Sequence, residues 1–320
     1  MRLDVIIPTF NRCELLVRTL ESLRTAAVPP GLDARVFVVD NNSKDSTERV
    51  VKERMPAFEG RLSYIFEARQ GRSSALNAGI ESSDADLIGM VDDDEEVDSG
   101  WYEVIHAAFA DVDVDFIGGP CRPSWSVQAP AWIPGDYPAV IGIVDGGNRV
   151  VAYDDNFPGI LMGGNAVIRR AALKRAGPYP TQIGRTGTVP LAGEDEDIYR
   201  RLRATGARGF YRPDLIIYHH IPAERLTKKY YRRWCFWRGV SCGFLDRTRP
   251  EPVVYLAGVP RYMLGRAVHG FIGSSRQLLT RRGTAARGFS DELALWDLAG
   301  FFYGKHFYKT GAKPSAVPSP

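Results

Sequence analysis

The chain has few cysteines, and none of them has the spacing of a metal-binding or redox pair. Its 320 residues include four, at Cys13, Cys121, Cys235 and Cys242, without a CxxC pair. This pattern argues against a disulfide framework and against a cysteine zinc site, and it is typical of a reducing compartment. We therefore expect a cytoplasmic protein.

Long apolar runs and the common phosphate-binding signatures are also absent. No segment approaches the roughly 18 consecutive apolar residues that a membrane span needs. The N-terminus leads into strand-like sequence without a signal-peptide pattern, and the chain contains neither GxGxxG nor GxxxxGK(S/T). These absences argue against a membrane-spanning protein, a dinucleotide-binding enzyme and a P-loop enzyme.

Acidic residues are scarce in the C-terminal third. Residues 1–200 hold 20 Lys and Arg against 31 Asp and Glu, whereas residues 201–320 hold 21 against 7. This basic third predicts contact with phosphates or with an anionic membrane, the alternative being a solvated basic face. The basic residues follow no nucleic-acid recognition motif, so we expect no nucleic-acid partner.

Helical patterns dominate this basic region. A basic, aromatic helix is predicted over residues 224–245, with further helical stretches near 253–272 and 291–307. Such helices favour peripheral membrane contact, here with the inner face of the membrane, although they can equally pack their aromatic side chains on the body. Residues 311–320 have the composition of a disordered tail.

The N-terminal part of the chain alternates between strands and helices. Four apolar segments end in polar or turn residues, and helical spacing separates each from the next. They cover residues 3–10, 36–39, 63–66 and 87–91. This alternation predicts an α/β fold with a mostly parallel sheet flanked by helices. Ligands bind such sheets at the carboxyl ends of the strands.

The fourth strand ends in a cluster of acids, Asp92–Glu96. Because side chains alternate along an extended segment, Asp92 and Asp94 are predicted on one face and Asp93 on the other. Two converging carboxylates repel each other unless a cation lies between them. We interpret the pair as a site for a divalent cation that holds a diphosphate, and a solvated acidic loop is the alternative.

Two later segments add chemistry to this edge. A helix opening at Gly193 directs Glu194 and Asp195 towards its buried face, whereas the next two acids fit helix-dipole capping. A strand at 215–220 ends in His219 and His220, which point in opposite directions. One of them could reach a metal at the acidic cluster, and the other is then structural.

In this order the segments resemble family 2 of the glycosyltransferases, inverting enzymes with the GT-A fold. The resemblance spans about residues 3–225. Its motifs are VIIPTFNR at 5–12, VVDNNSKDST at 38–47, GRSSALNAG at 71–79, the DxD-like DDD at 92–94 and GED at 193–195.

The resemblance implies roles for single residues. Asp40 would contact the nucleobase, Asp92 the ribose or a metal-bound water, and Asp94 the metal. Asp195 would be the general base and His219 a further metal ligand. One departure from the family pattern is Leu76, which stands where many members have Arg, so that a phosphate contact is either missing or supplied by Arg72.

The complete predicted site follows from the motifs together. Its catalytic residues are Asp195 and Glu194, and its metal ligands are Asp94 and His219. Its nucleotide-sugar-binding residues are Pro8, Thr9, Asn11, Asp40, Arg72, Asn77, Asp92, Asp93, Gly164 and Asn165. The implied cofactor is Mg²⁺ or Mn²⁺, and the implied donor is a nucleoside-diphosphate sugar, with UDP favoured. The acceptor would be a hydroxyl of a glycan or of a lipid-linked molecule.

We predict a GT-A domain over residues 1–225, with a nucleotide-sugar half at 1–118 and an acceptor half at 119–225. A helical extension at 226–310 and the tail follow. One alternative is a sugar nucleotidyltransferase, but the residues after the first strand lack the glycines of a triphosphate-binding loop. The other is a non-catalytic module that binds membranes or phosphates.

Overall fold

The computed structural model describes residues 1–157, 159–185, 191–280 and 285–309, and side chains throughout these ranges except at 276–280 and 285–286. The predicted tail at 311–320 lies outside the described residues. Within them the strands are β1 (Arg2–Thr9), β2 (Asp33–Asp40), β3 (Leu62–Phe66), β4 (Leu87–Met90), β5 (Glu95–Val97), β6 (Phe116–Gly118), β7 (Cys121–Trp125), β8 (Val151–Ala152), β9 (Ala166–Arg169), β10 (Gly209–Tyr211), β11 (Ile217–Ile221), β12 (Tyr255–Leu256) and β13 (Val259–Pro260).

The helices alternate with the first strands and then dominate the C-terminal part. Within the same ranges the α-helices are α1 (Cys13–Thr25), α2 (Thr47–Arg54), α3 (Arg72–Ser82), α4 (Trp101–Ala108), α5 (Arg170–Ala176), α6 (Glu194–Ala204), α7 (Lys228–Asp246), α8 (Arg261–Thr280) and α9 (Ala285–His306). Short 3-10 turns lie at Met55–Phe58, Pro138–Ile141, Gly163–Asn165 and Ala223–Arg225.

An eight-stranded sheet confirms the predicted mostly parallel α/β architecture. Its order is β3-β2-β1-β4-β9-β6-β10-β8. The first four of these strands are mutually parallel, and β9 is antiparallel to both of its neighbours. Fully buried apolar side chains on both faces of β1 and β4 form the core. Their carboxyl ends therefore lie at one edge, as the sequence predicts.

A second sheet, β5-β11-β7, is not predicted by the sequence. Its strand β5 lies within the acidic run itself and pairs antiparallel with β11, so that Glu95 faces His219 in register. The three residues of β5 carry no apolar pattern that would reveal them. This pairing is what brings the histidine strand to the acidic cluster.

The chain divides into two compact units. The first unit contains the described residues among 1–124, 142–187 and 194–220. The second unit contains those among 125–141, 188–193 and 221–320. Among the described residues, no helix combines the length and the apolarity needed to cross a membrane.

The second unit is built on closely packed helices. A Cβ atom added at Gly239 or Gly243 of α7 would collide with the backbone of α9, and one at Gly300 or Gly304 would collide with the backbone of α7. The glycines let the two helices approach closely, and ion pairs such as Arg232 with Glu292 link the same helices.

The predicted helix over residues 253–272 is wrong in its first part. Residues 255–260 form the hairpin β12–β13, and α8 begins only at Arg261. Ala257 and Gly258 have φ angles of 50° and 77°, which no α-helix allows. These two left-handed residues make the tight turn that interrupts the helical pattern.

Candidate active site

A cavity of about 330 Å³ lies at the carboxyl edge of the parallel strands, within the first unit. The residues at the end of β1, the turn after β4 and the start of α3 form its wall. The lining residues are Pro8, Thr9, Phe10, Asn11, Arg12, Asn41, Gln70, Arg72, Ala75, Asp92, Asp93, Asp94 and Arg185. Three arginines and three aspartates therefore face one pocket.

Arg12 neutralises two of these aspartates. Its Nη1 lies 2.9 Å from Asp93 Oδ1 and 3.0 Å from Asp94 Oδ2. Thr9 Oγ1 also donates to Asp93, at 2.8 Å. Asp93 is buried rather than solvated, and burial raises its pKa to about 6 although Arg12 opposes the shift. The predicted alternation of faces fails here because residues 92–94 form a turn, not an extended strand.

Arg72 connects the pocket to helix α6. Its Nε donates to Asp92 Oδ1 at 2.9 Å, and its Nη1 donates to Asp195 Oδ1 at 3.0 Å. Glu194 Oε1 lies 3.4 Å from the same Nη1. Nη2 is 2.8 Å from Asp92 Oδ1 but is not aligned for a hydrogen bond, so this buried donor still faces the site without an aligned acceptor.

Glu194 and Asp195 both turn inward at the start of α6, as the helical spacing predicts. Glu194 is buried and Asp195 is one-fifth exposed. Burial, reinforced by the adjacent Asp195 carboxylate, raises the pKa of Glu194 to about 7. Gly163 permits this arrangement, because a Cβ there would collide with the Asp195 carboxylate.

His219, not His220, directs its ring towards the acidic cluster. His219 Nε2 lies 3.5 Å from Asp94 Oδ2, and both side chains are buried. The His220 ring instead contacts Arg18. The turn at Gly142, with φ 71°, makes room for the His219 ring, since a Cβ there would lie 2.7 Å from two ring atoms.

This pair of donors fits a divalent cation. Mg²⁺ and Mn²⁺ bind carboxylate oxygens, and Mg²⁺ sites commonly combine one or two protein ligands with substrate phosphates and water. Asp94 and His219 supply such a partial set. Among the described residues no group of three His, Cys, Asp or Glu side chains is arranged to hold a metal alone. Within that part of the chain, a bound cation would take its further ligands from the substrate or from water.

Four of the predicted binding residues are engaged inside the fold rather than at the cavity wall. Asp40 accepts hydrogen bonds from Ser43 N at 2.8 Å and Tyr64 Oη at 2.7 Å. The Asn77 amide exchanges two bonds with the backbone of Tyr179. These partners orient the chain around the site.

Asn165 and Gly164 are the other two. The Asn165 side chain bonds to the Trp101 indole and to the carbonyls of Pro120 and Leu215. Gly164, predicted to bind the nucleotide sugar, instead lets the Glu95 carboxylate approach the backbone. Of the remaining predicted residues, Pro8, Thr9, Asn11, Arg72, Asp92, Asp93 and Asp94 all line the cavity.

Sequence reasoning missed several residues at this site. Arg12 and Arg185 line the cavity without having been assigned a role. Asn41 holds the turn before α3, its Oδ1 accepting from Gly71 N at 2.7 Å. Glu95 is buried, and burial together with neighbouring carboxylates holds its pKa well above the usual range. One signal in the sequence could have predicted the role of Arg12. It follows β1, the acids follow β4, and the carboxyl ends of neighbouring parallel strands lie side by side.

Comparison with known proteins identifies the family. A model described as glycosyl transferase family 2 matches residues 4–177, which is more than half of the chain. The chain belongs to glycosyl transferase family 2. Its matched segment contains the cavity residues of β1, α3 and the acidic turn. The chain is thus a glycosyltransferase of the family 2 type.

Curated relatives support the same assignment. The chain is 25% identical over 247 residues to the succinoglycan biosynthesis protein ExoM of Rhizobium meliloti, covering 77% of this chain and 75% of that one. It is 23% identical over 257 residues to a glucosyl-dolichyl phosphate glucuronosyltransferase of Haloferax volcanii, covering 78% and 79%.

Solved structures show the same GT-A fold. The mannosyltransferase PcManGT of Pyrobaculum calidifontis, solved with GDP-Man and Mn²⁺, has a TM-score of 0.61 at 18% identity and covers 94% of this chain and 86% of that one. S. aureus TarS 1-349 in complex with UDP has a TM-score of 0.52 at 17% identity, covering 100% and 95%.

Proposed function

We propose that this enzyme transfers a sugar from a nucleoside-diphosphate sugar, with UDP as the favoured nucleotide, to an acceptor hydroxyl with inversion at the anomeric carbon. The observation that carries the proposal is the bridge made by Arg72. One guanidinium contacts Asp92 on the cavity wall and Asp195 on α6. The candidate base is therefore held at a fixed short distance from the donor pocket.

Asp195 is the proposed general base. It takes the proton of the acceptor hydroxyl as that oxygen bonds to the anomeric carbon, and the bond from this carbon to the diphosphate oxygen breaks. The electron pair of the broken bond leaves on the diphosphate. Attack from the face opposite to the leaving group gives inversion. Glu194 sets the charge around the base, because its pKa of about 7 leaves it partly neutral at physiological pH.

The leaving diphosphate needs positive charge. Asp94 and His219 would hold Mg²⁺ or Mn²⁺, which when bound would neutralise developing charge on the diphosphate. Arg72 supplies a second positive charge, and its buried Nη2 has no aligned acceptor. We therefore assign to Arg72 the phosphate contact that Leu76 cannot make. PcManGT was solved with Mn²⁺, which agrees with this donor set.

The donor nucleotide would lie along the ends of β1 and β2. Pro8, Thr9 and Asn11 supply one wall, and Asn41 and Gln70 supply the other. UDP stays the favoured nucleotide because TarS was solved with UDP, and GDP is the alternative because PcManGT was solved with GDP-Man. Asp40 would act on the nucleobase only indirectly, because it fixes the turn that contains Asn41.

We further propose a lipid-linked or glycan acceptor, used at the cytoplasmic face of the membrane. Two relatives have names that state lipid-linked substrates, the Haloferax volcanii enzyme on glucosyl-dolichyl phosphate and a Campylobacter jejuni β-1,3-glucosyltransferase on an undecaprenol-linked glycan. The second of these matches 31% of this chain at 32% identity.

Titration of UDP in the presence and absence of Mn²⁺ tests the donor and metal parts of the proposal. We expect Mn²⁺ to strengthen UDP binding to the wild type, and Asp94→Ala to remove most of that gain because it loses the carboxylate ligand. Glu96→Ala, in the same acidic run but paired with Arg18, is the matched control and should keep the gain.

UDP affinity that is indifferent to both Mn²⁺ and Asp94→Ala would contradict the metal assignment. Turnover tests the transfer reaction itself, against the two alternatives that the sequence alone left open. A glycosyltransferase releases UDP from a UDP-sugar in the presence of Mn²⁺, whereas a binding module releases nothing. A sugar nucleotidyltransferase would instead consume a nucleoside triphosphate and release pyrophosphate.

A further inference from the structure

The hairpin β12–β13 in the second unit and the two residues before it expose apolar side chains that no described residue covers; we call this group, Val253, Val254 and Leu256, the hairpin tip. Val254 is 67% exposed and Leu256 is 61% exposed, and Val253 before them is also exposed. Single exposed apolar side chains are ordinary, but three within four consecutive residues are not. The apolar residues are thus presented to something outside the described chain.

The polar side of this hairpin is anchored to the helices. Lys305 of α9 donates through Nζ to Gly258 O and to Asp246 Oδ2, each at 2.6 Å. The same ammonium lies 4.8 Å from the centre of the Tyr255 ring, and the Tyr255 hydroxyl donates to Asp246. One buried ion pair therefore fixes the hairpin where α7 and α9 end. A flexible loop would need no such anchor, so we interpret the tip as held in position.

The end of α9, which carries Lys305, adds exposed aromatic surface. Phe307 is 61% exposed, close to Lys305 in sequence, and Phe302 is exposed as well. The two rings lie 5.9 Å apart, measured between centroids. The apolar tip and these rings belong to elements that Lys305 holds together.

Helix α8, which follows the hairpin directly, shows a second apolar group. Val268, Phe271 and Ile272 are all exposed. On a helical wheel they lie between about 60° and about 160° from the centre of the buried face, which Met263 and Ala267 mark. The helix is thus apolar on the face that packs and also on a face that reaches solvent.

The charge around these residues is positive. Residues 221–320 hold 17 Lys and Arg against 6 Asp and Glu. Asp246 is compensated by Lys305, whereas Arg247 and Arg261, at the ends next to the hairpin, are exposed. A second copy of this surface would bring like charges together. An anionic lipid surface instead matches both properties, since it offers negative headgroups above an apolar layer.

We propose that the hairpin tip, the aromatic end of α9 and the exposed face of α8 form a surface that binds anionic lipid bilayers. The apolar side chains enter the region below the headgroups while the arginines contact the phosphates. Binding of this kind is peripheral. It places the enzyme on the membrane without a spanning helix, and it is independent of the donor and metal assignments made above.

Co-sedimentation with vesicles tests the proposal, using the full chain without any nucleotide. One vesicle set is phosphatidylcholine alone, and the other contains equal parts of phosphatidylcholine and phosphatidylglycerol. We expect the wild type to bind the anionic vesicles and to release them at high salt. The double variant Val254→Glu/Leu256→Glu should lose at least about tenfold in vesicle affinity, because it removes apolar insertion and adds repulsion.

A control variant, a second test variant and a measurement of UDP binding complete the experiment. Val112→Glu changes an equally apolar residue that is 81% exposed in the first unit, and it should bind vesicles as the wild type does. Phe271→Glu on α8 is a second test variant, which should also weaken binding and does not depend on the hairpin folding. UDP binding by each variant reports whether the first unit is intact.

Two results would overturn the proposal. In the first, the wild type does not bind anionic vesicles, or the double variant binds them with the same affinity as the wild type. The other is a wild type that is dimeric by light scattering and a double variant that is monomeric, with neither binding vesicles. That outcome would assign the surface to a second copy of the chain. Neither result affects the glycosyl transfer proposal, whose readouts are UDP binding and turnover.

Discussion

The two units handle charge in opposite ways. At the cavity of the first unit, the guanidinium of Arg12 lies against Asp93 and Asp94, and that of Arg72 lies against Asp92 and Asp195. In residues 221–320, cations outnumber anions by nearly three to one, and large apolar side chains stand exposed beside them. One region contains fixed, compensated charge and the other an uncompensated excess.

This difference matches two kinds of binding. Charges held in fixed pairs are preorganised, so they need little reorganisation when they act on a reacting bond. An excess of exposed cations beside apolar groups attracts a large anionic surface but fixes no single atom. We therefore assign chemistry to the first unit and attachment to the second.

Asp195→Asn is expected to have the largest effect and tests the chemical half of the comparison. The amide cannot accept the acceptor proton, so turnover should fall by about 1,000-fold while UDP affinity changes little. Initial rates and UDP titration measure the two quantities. Glu196→Gln, on the exposed side of the same helical turn, is the matched control. Turnover within tenfold of the wild type would remove Asp195 from the base role.

Arg72→Met should reduce both turnover and stability. The variant leaves Asp92, Glu194 and Asp195 without their shared cation, and because Asp92 and Asp195 are partly exposed while Glu194 is buried we expect a loss of about 2 kcal/mol in the free energy of unfolding. Denaturant titration and initial rates check both effects. Arg72→Lys restores the charge without the fork geometry and should recover most of the stability but less of the turnover. Equal recovery of the two would contradict the bridging role.

A pair of glycine substitutions tests the packing of the second unit. Gly300→Ala should lower the free energy of unfolding by about 2 kcal/mol, because the added Cβ meets the carbonyl of Phe236 on α7. Gly265→Ala on α8 meets nothing within 4 Å and should raise it by up to about 1 kcal/mol. Thermal unfolding of both variants checks the contrast. A Gly300→Ala variant as stable as the wild type would show that α7 and α9 do not pack as described.

Glu194→Gln should change the pH dependence of stability by a few degrees in Tm at most. The native carboxyl has a pKa of about 7, above its value in the unfolded chain. At a pH between these two pKa values the unfolded state binds fewer protons than the native state does. The free energy of unfolding of the wild type therefore falls as the pH rises from about 5 to 7. The variant lacks this term and should show a flatter Tm profile over that range. Parallel profiles would mean that Glu194 does not titrate there.

The sequence predicts the parallel part of the sheet well because each of its apolar strands ends in turn residues. The same regularity places Arg72, Asp92 and Asp94 at one cavity and turns Asp195 inward. These predictions need only local periodicity and the rule that parallel strands end at one edge. The resemblance of the motifs to the family, confirmed by comparison, adds the reaction.

Other features depend on contacts between distant segments and could not be predicted in this way. His219 reaches Asp94 through β5, a three-residue strand hidden in an acidic run. Asn165 looks like a ligand residue, but its amide satisfies buried carbonyls. The hairpin at 255–260 is hidden because its apolar residues continue the spacing of the helix that follows.

A double-mutant cycle between Arg72 and Asp195 tests the central claim most directly. Turnover of UDP-sugar is measured for the wild type, Arg72→Met, Asp195→Asn and the double variant. If Arg72 acts by holding Asp195 against the donor pocket, the double variant should be no slower than the slower single variant, within about threefold. Losses that multiply, so that the double variant falls by the product of the two single losses, would contradict the coupling of the base to the pocket through Arg72.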